Sequence, residues 1–345
     1  MPAEDVLRLR WHRKLARHGV FDYRPQEWAS AAVGPDGLLF VGSTARRFVA
    51  LDGNGRLRWA LRTAGAVSSR PLYAAERGLV YFGADDGKLY AVEAKSGKVR
   101  WTYATQGTIA NVPVLDEGTL LFTSSEERVY AVDAATGRWR WQYDREAPEG
   151  FTIQGHAGVA VRDNTAYTGF SDGVLVALRA STGEVVWTRR LAEDKPRFVD
   201  VDATPVIAGE LLLTASYASG VYAIAVDNGS VHWHFPVEGV SALTVAPSGM
   251  IFASAAEVGL VALDRRGREI WRQAMPKGVP SAPVITGDYL VVTGTETGLH
   301  VASARTGRLL QLFDPGHGIS APPTAAGGMI YVLSNVGRLF AFATR

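Results

Sequence analysis

The chain has 345 residues, of which 47% are apolar and 20% charged, a composition that excludes a disordered or fibrous protein and allows a large buried core. Its net charge of +2 comes from 36 basic and 34 acidic residues without a long basic run, which argues against a nucleic-acid-binding protein. The absence of cysteine excludes disulfides, thiolate metal sites and cysteine nucleophiles.

The first predicted element is a strand over residues 6–11, in which apolar and charged residues alternate up to a tryptophan. Residues 1–13 lack the apolar core of a signal peptide, and no apolar run is long enough for a transmembrane helix. The sequence therefore indicates either a cytoplasmic protein or an exported one whose signal lies outside this chain.

One pattern then recurs along the chain. It consists of an apolar strand with a central small residue, a turn that ends in glycine, and a strand that carries tryptophan. The small residues run from position 50 to position 341 with a period of about 42 residues, typical of four-stranded propeller blades. The aligned tryptophans are Trp11, Trp59, Trp101, Trp141, Trp187, Trp233 and Trp271.

The last copy of the pattern, residues 339–342, reaches the end of the chain without its turn and its tryptophan strand. The N-terminal strand around Trp11 supplies that missing strand. The sequence thus predicts a single all-β domain over residues 1–345, an eight-bladed β-propeller with four antiparallel strands per blade, closed by the N-terminal strand. The seventh copy has Gln311 in place of tryptophan, so we expect its blade to be the least well packed.

We interpret the seven aligned tryptophans as structural residues. A large ring on the outer strand fills the widening space between blades, and its burial contributes on the order of a few kcal/mol. The sequence gives no reason to read any of them as a platform for a cofactor or a sugar.

Three connections between a tryptophan strand and the next blade are longer than the rest, over residues 11–31, 141–157 and 187–205. Antiparallel blades place these connections on one face, and the last two serve consecutive blade junctions. We therefore expect these two loops to lie side by side. Long loops on a repeat fold are typical of its binding face.

The residues of the two neighbouring loops suggest a protein-binding patch. Phe151 and Ile153 are apolar residues within the first loop, and Asp200 and Asp202 are acidic residues within the second. An apolar anchor beside charged residues is typical of a protein interface. Alternatively, the apolar pair covers the core beneath its loop and the two aspartates cap turns.

Motifs for catalysis or metal binding are weak. His232 and His234 lie on the same side of one predicted strand, but no carboxylate or third histidine accompanies them in the sequence. No phosphate-binding loop or nucleophile elbow occurs either. We therefore predict no catalytic residue, no metal site and no cofactor.

The repeat over residues 131–141, Ala-x-Asp-x-x-Thr-Gly-x-x-x-Trp, resembles the quinoprotein-like propeller repeat. Two groups carry this repeat: the pyrroloquinoline quinone dehydrogenases and the BamB family, propeller lipoproteins of the outer-membrane β-barrel assembly machinery. The dehydrogenases are longer and have a vicinal cysteine pair that this chain lacks. Residues 151–155 and 197–206 instead resemble the segments that the BamB family carries in its two corresponding loops.

The resemblance implies a non-enzymatic scaffold at the periplasmic face of the outer membrane, monomeric on its own, which supports insertion of β-barrel proteins. Its implied partners are a BamA-like assembly protein, bound at its periplasmic repeat domains, and unfolded outer-membrane protein clients. Phe151 and Ile153 match the family's apolar contact pair, and Asp200 and Asp202 match its acidic pair. Gln154 replaces the family's arginine, which removes a charge from this surface.

Two other interpretations stay open at the level of the sequence. One is a quinoprotein oxidoreductase, which would bind pyrroloquinoline quinone and Ca²⁺ in the central channel of the propeller. The other is a stand-alone sensor or adaptor propeller, including one that belongs to a larger kinase.

Overall fold

The computed structural model describes residues 6–16, 26–146, 157–191 and 198–345. Within these residues the chain forms 32 β-strands and one 3₁₀ helix. They belong to two compact units, one made of Met1–Ala104 with Gln273–Arg345 and the other of Thr105–Arg272. Each unit contains four sheets of four strands, which we number as blades 1 to 8 in chain order.

The first unit holds blades 1, 2, 7 and 8. Blade 1 consists of β2 (Ala32–Val33), β3 (Leu39–Ser43), β4 (Arg47–Leu51) and β5 (Leu57–Arg62). Blade 2 consists of β6 (Leu72–Ala74), β7 (Leu79–Gly83), β8 (Lys88–Glu93) and β9 (Val99–Ala104), with the 3₁₀ helix Ala75–Arg77 between its first two strands. Blade 7 consists of β26 (Val284–Thr286), β27 (Tyr289–Gly294), β28 (Gly298–Ser303) and β29 (Leu309–Phe313).

Blade 8 is assembled from both ends of the chain. Its strands are β30 (Thr324–Ala326), β31 (Met329–Leu333), β32 (Arg338–Thr344) and the N-terminal β1 (Leu7–Lys14). The N-terminal strand runs antiparallel to β32, with Leu7 opposite Thr344 at one end of the pair. The prediction that the N-terminal strand completes the last blade is thereby confirmed.

The second unit holds blades 3 to 6. Blade 3 consists of β10 (Val114–Asp116), β11 (Thr119–Ser124), β12 (Arg128–Asp133) and β13 (Trp139–Asp144). Blade 4 consists of β14 (Ala160–Arg162), β15 (Thr165–Gly169), β16 (Val174–Arg179) and β17 (Val185–Arg190). Blade 5 consists of β18 (Val206–Ala208), β19 (Leu211–Ser216), β20 (Gly220–Ala225) and β21 (Val231–Pro236). Blade 6 consists of β22 (Val240–Val245), β23 (Ile251–Ala255), β24 (Gly259–Leu263) and β25 (Glu269–Gln273).

Burial within a blade follows the position of the strand. The second and third strands are buried along almost their whole length, as in β3 and β4, because both faces of the sheet are covered. The outer strand alternates between exposed and half-buried residues, as in β5. A register shift between Ala50 and Leu51 interrupts its pairing with the third strand, and such bulges blunt an exposed sheet edge.

The repeat tryptophans lie on the outer strands, and five of them bond to a turn of the next blade within the same unit. The Trp59 ring lies over Gly97, where a Cβ atom would be 2.5 Å from the ring carbon Cε3, and its indole nitrogen donates to the Ala94 carbonyl at 2.8 Å. The same donation to a turn carbonyl recurs from Trp11 to Gly53, from Trp141 to Ala180, from Trp187 to Val226 and from Trp233 to Arg265. The ring of Trp101 packs 5.8 Å from Tyr81, and that of Trp271 packs 5.8 Å from Phe252.

Gln311 occupies the tryptophan position of blade 7 and has a different partner. Its side-chain amide donates to the Leu7 carbonyl at 2.9 Å, and its side-chain oxygen accepts from the Leu7 amide at 2.8 Å. The sequence predicts that blade 7, which lacks the tryptophan, is the least well packed blade. The lower packing of blade 7 stays a prediction, and the two hydrogen bonds show that Gln311 binds the backbone of the N-terminal strand.

Eight four-stranded antiparallel sheets with no other long elements make the described chain an all-β, eight-bladed β-propeller, as the sequence predicted. That all 345 residues form a single domain stays a prediction. None of the described residues belongs to a helix long and apolar enough to cross a membrane.

Candidate partner-binding face

The two long loops identified in the sequence lead from blade 3 to blade 4 and from blade 4 to blade 5. Residues 147–156 and 192–197 lie outside the described residues. Three of the predicted contact residues, Phe151, Ile153 and Gln154, fall in the first of these ranges. The described ends of both loops nevertheless show where the loops are attached.

Both loops are attached to one turn of blade 4, Phe170–Gly173, which joins β15 to β16. From the first loop, Arg145 Nε donates to the Asp172 carboxylate at 2.7 Å, and its guanidinium lies 5.8 Å from the centre of the Phe170 ring. From the second loop, the Val201 amide donates to the Phe170 carbonyl at 3.1 Å. The structure thus brings together the described ends of the two loops that the sequence singled out by length.

The ion pair of Arg145 with Asp172 fastens the start of the first loop. Both side chains are largely shielded from solvent, with 23% and 17% of their surface exposed, and two guanidinium nitrogens approach the same carboxylate oxygen. Hydrogen bonds from Arg145 to Asp172 raise the pKa of the guanidinium above its usual value. A partly buried, charge-assisted pair of this kind holds a loop more firmly than an exposed one.

Apolar packing fastens the second loop. Val201 is fully buried, and its side chain and carbonyl fill the space where a Cβ atom on Gly169 would stand. Val199 packs in the same way against Gly173, 3.0 Å from where its Cβ would be. Glycine is therefore required at both positions because the loop lies directly on the backbone of blade 4.

The two predicted aspartates have different environments. Asp200 is only 1% exposed, and its carbonyl accepts a hydrogen bond from the Tyr217 amide at 2.9 Å. Asp202 is half-buried and lies between the buried Val201 and Ala203. Of the two, Asp202 is the one closer to solvent, whereas Asp200 belongs to the base of its loop.

Sequence reasoning did not select Phe198, which the structure marks out. Its side chain is 46% exposed, and its backbone φ of +56° is in the left-handed region that bulky residues rarely adopt. Such strained conformations concentrate at binding sites, where the surrounding structure holds them. The available signal was an aromatic residue in a loop, two positions before the first aspartate of Asp-Val-Asp.

The arrangement is suited to docking. An exposed aromatic side chain beside apolar anchors is typical of the centre of a protein interface. Of the two histidines considered in the sequence, His234 is engaged within its own blade, because its Nε2 lies 2.7 Å from the Ser219 carbonyl and its ring stacks on Tyr222. In the part of the chain that the structure describes, no group of three or more acidic or histidine side chains could hold a metal ion.

Known proteins resemble this chain in sequence and in fold. The family model described as outer membrane protein assembly factor BamB matches residues 8–81, 67–266 and 257–345. The protein of that name from Legionella pneumophila is 30% identical over 203 residues, which are 57% of this chain and 52% of the relative. The matched stretch therefore spans about half the length of that relative.

Solved structures share the fold. BamB from Moraxella catarrhalis superposes with a TM-score of 0.83 at 21% identity and covers 98% of this chain and 100% of its own. A quinohemoprotein alcohol dehydrogenase from Pseudomonas putida superposes with a TM-score of 0.78 at 16% identity, covering 98% of this chain and 76% of its own. At these identities the likeness extends to the fold alone. Because the family model matches nearly the whole chain, this protein belongs to the family of the outer membrane protein assembly factor BamB.

Proposed function

We propose that this protein is a non-catalytic scaffold that supports assembly of outer-membrane proteins by binding a BamA-like partner. Membership of the BamB family supports the role in assembly of outer-membrane proteins. The attachment of both loop ends to one turn of blade 4 supports the choice of the partner-binding surface. The proposed place of action is the periplasmic face of the outer membrane. Unfolded outer-membrane proteins are the proposed clients of the assembled complex.

In the proposed interface, Phe198 and Asp202 contact the partner from the second loop. Asp200 supports them from beneath, because its burial keeps its carboxylate away from a partner. Phe151, Ile153 and Gln154 contribute from the first loop, outside the described residues. Because the ion pair and the valine anchors hold both loop ends before binding, little conformational freedom is lost on association, which favours affinity.

A quinoprotein oxidoreductase has weaker support than a scaffold. The dehydrogenase from Pseudomonas putida matches at 16% identity. An identity this low indicates a shared propeller fold and does not indicate a shared enzymatic activity. The family model that spans the chain is the one described by the assembly factor. No described feature favours a sensor or adaptor propeller over the assembly role.

The proposed interface can be tested with Phe198→Gly. Glycine adopts a φ of +56° without strain, so this variant removes the ring and leaves the loop backbone intact. We expect the affinity for the purified periplasmic domains of a BamA-like protein to fall about tenfold or more, measured by biolayer interferometry.

The matched control is Val231→Gly on the outer strand of blade 5, where the side chain is 45% exposed. We expect this variant to bind like the native protein. Native affinity for Phe198→Gly would contradict the assigned interface. Absence of binding by the native protein itself would contradict the proposed partner.

A further inference from the structure

Two blades of the first unit contain cross-strand pairs of like charge. In blade 8, Lys14 on β1 lies opposite Arg338 on β32. In blade 1, Arg47 on β4 lies opposite Arg62 on β5. Side chains directly opposite each other on a sheet are neighbours, so like charges there destabilise the pair. Both pairs stand at the same place in the repeat, where the third strand begins and the outer strand ends.

Blade 3 has a pair of opposite charge at the same place in the repeat. There Arg128 lies opposite Asp144, and the two form an ion pair with a distance of 2.9 Å between Nε and Oδ1. A complementary pair therefore fits the backbone at this position. Blades 1 and 8 have a cation where blade 3 has the carboxylate.

The cations of blades 1 and 8 are accessible. Lys14, Arg47 and Arg62 are exposed, as is Arg46, and Arg338 is half-buried. No ion pair with another described residue involves any of the five. We call these five residues the cationic face.

Among the residues that the structure describes, the carboxylate of Glu27, in the connection between blades 8 and 1, is engaged away from the cationic face. Glu27 is fully buried, and its carboxylate accepts hydrogen bonds from the Thr44 amide at 2.9 Å and the Thr44 hydroxyl at 2.7 Å. Glu27 also joins blades 8 and 1 at this end of the strands, because its amide donates to Asn335 Oδ1 at 3.4 Å, in the turn before β32, while Thr44 lies in the turn before β4. The two like-charged pairs therefore belong to one continuous surface.

We propose that the cationic face binds an acidic segment of a protein partner. Guanidinium groups present paired donors that match carboxylates, and four of the five cations are arginines. An anionic membrane is a poorer match, because binding to a lipid surface also draws on exposed apolar side chains. The exposed Leu9 and Leu57 lie toward the other end of their strands, opposite Phe342 and Leu51.

This inference goes beyond the proposed function, because it concerns another surface and another chemistry. It also predicts that removing these cations weakens peptide binding without lowering the stability of the protein. Arg62→Glu would place a carboxylate opposite Arg47, as in blade 3, so we expect the melting temperature to stay the same or rise by about 1 °C. A structural role for Arg62 predicts a lower melting temperature instead.

The binding test uses a fluorescein-labelled peptide of ten glutamates and the full chain, with fluorescence anisotropy as the readout. We expect the native protein to bind, and the double variant Arg47→Glu with Arg62→Glu to bind at least tenfold more weakly. The matched control is Arg56→Glu with Arg58→Glu, which changes the net charge equally in the same blade. We expect the control to keep most of the affinity.

Three outcomes would overturn the proposal. The first is equal weakening by both double variants, which would show a general effect of net charge. The second is no binding of the peptide by the native protein. The third is preferential binding to vesicles of phosphatidylglycerol, which would assign the face to lipid. Failure of the BamA-like interaction is separable, because Phe198→Gly should leave peptide binding unchanged.

Discussion

The junction between blades 1 and 2 and the junction between blades 7 and 8 meet the same packing requirement with different residues. In the first, the Trp59 ring covers Gly97 and its indole donates to a turn carbonyl. In the second, Gln311 forms two hydrogen bonds with the backbone of Leu7. The turn glycine and the tryptophan that covers it therefore occur together. Both are missing at the junction between blades 7 and 8, where blade 8 has no turn before its outer strand.

Blade 8 differs from blade 2 because its outer strand comes from the other end of the chain. In blade 8, β32 ends at Thr344 and its partner strand begins at Leu7, so no turn connects the two. A tryptophan at position 311 would have no glycine to cover and no turn carbonyl to bond. Aromatic packing comes from Phe313 instead, whose ring stands edge-on to Phe340 and Phe342 at 4.9 and 5.0 Å. A missing repeat residue can therefore mark where a closed repeat is split.

The largest expected effect comes from Gly97→Ala. An alanine at position 97 would have to adopt a φ of +72°. Its methyl group would stand 2.5 Å from the Trp59 ring, so the ring would have to move. We expect a loss of about 3 kcal/mol in the free energy of unfolding, measured by urea denaturation.

The matched control for this change is Gly78→Ala in the same blade, with a φ of 62° and open space around it. It should lose only about 1 kcal/mol, which is the cost of the backbone conformation alone. Equal losses in the two variants would show that the tryptophan contact does not require glycine.

A smaller effect is expected from Gln311→Trp, although it restores the repeat pattern. The change removes both side-chain hydrogen bonds to Leu7 and leaves two backbone groups of β1 without those partners. We expect the free energy of unfolding to fall by about 2 kcal/mol. Leu312→Trp, at a 57% exposed neighbour on the same strand, should change it little. A gain in stability for Gln311→Trp would contradict the role assigned to Gln311.

The smallest expected effect is the pH dependence of the stability that the turn between β12 and β13 contributes. Blade 8 has no turn at the equivalent place. In blade 3, hydrogen bonds from Arg140 and Thr136 lower the pKa of Asp133 from 3.8 to about 2. Since the folded-state pKa is lowered, the stabilisation is present above pH 4 and is lost as the pH falls toward 2. Solvent screening limits it to a few tenths of a kcal/mol.

Asp133→Asn tests this expectation. The stability difference between native protein and variant, followed by thermal unfolding, should shrink as the pH is lowered from 4 to 2.5. A difference that stays constant over this range would show that the Asp133 carboxylate is not stabilised by its ionisation.

The propeller could be predicted because each blade repeats the same local signals. The glycine turn and the tryptophan strand recur with nearly fixed spacing, so their number and the split last blade follow from counting. The candidate face could be predicted only in part. Loop length pointed to the region, but the exposure of Phe198 and the burial of Asp200 depend on how the loop folds over blade 4.

The sequence by itself determined the strand pattern, the eight blades and the N-terminal strand of blade 8, because these follow from contacts within a repeat and between its neighbours. The tertiary structure alone decided which distant residues meet. Arg145 and Asp172 are 27 positions apart, and Gln311 meets Leu7 across 304 positions. Their pairing depends on how blades and loops are packed, which no local pattern of residue types encodes.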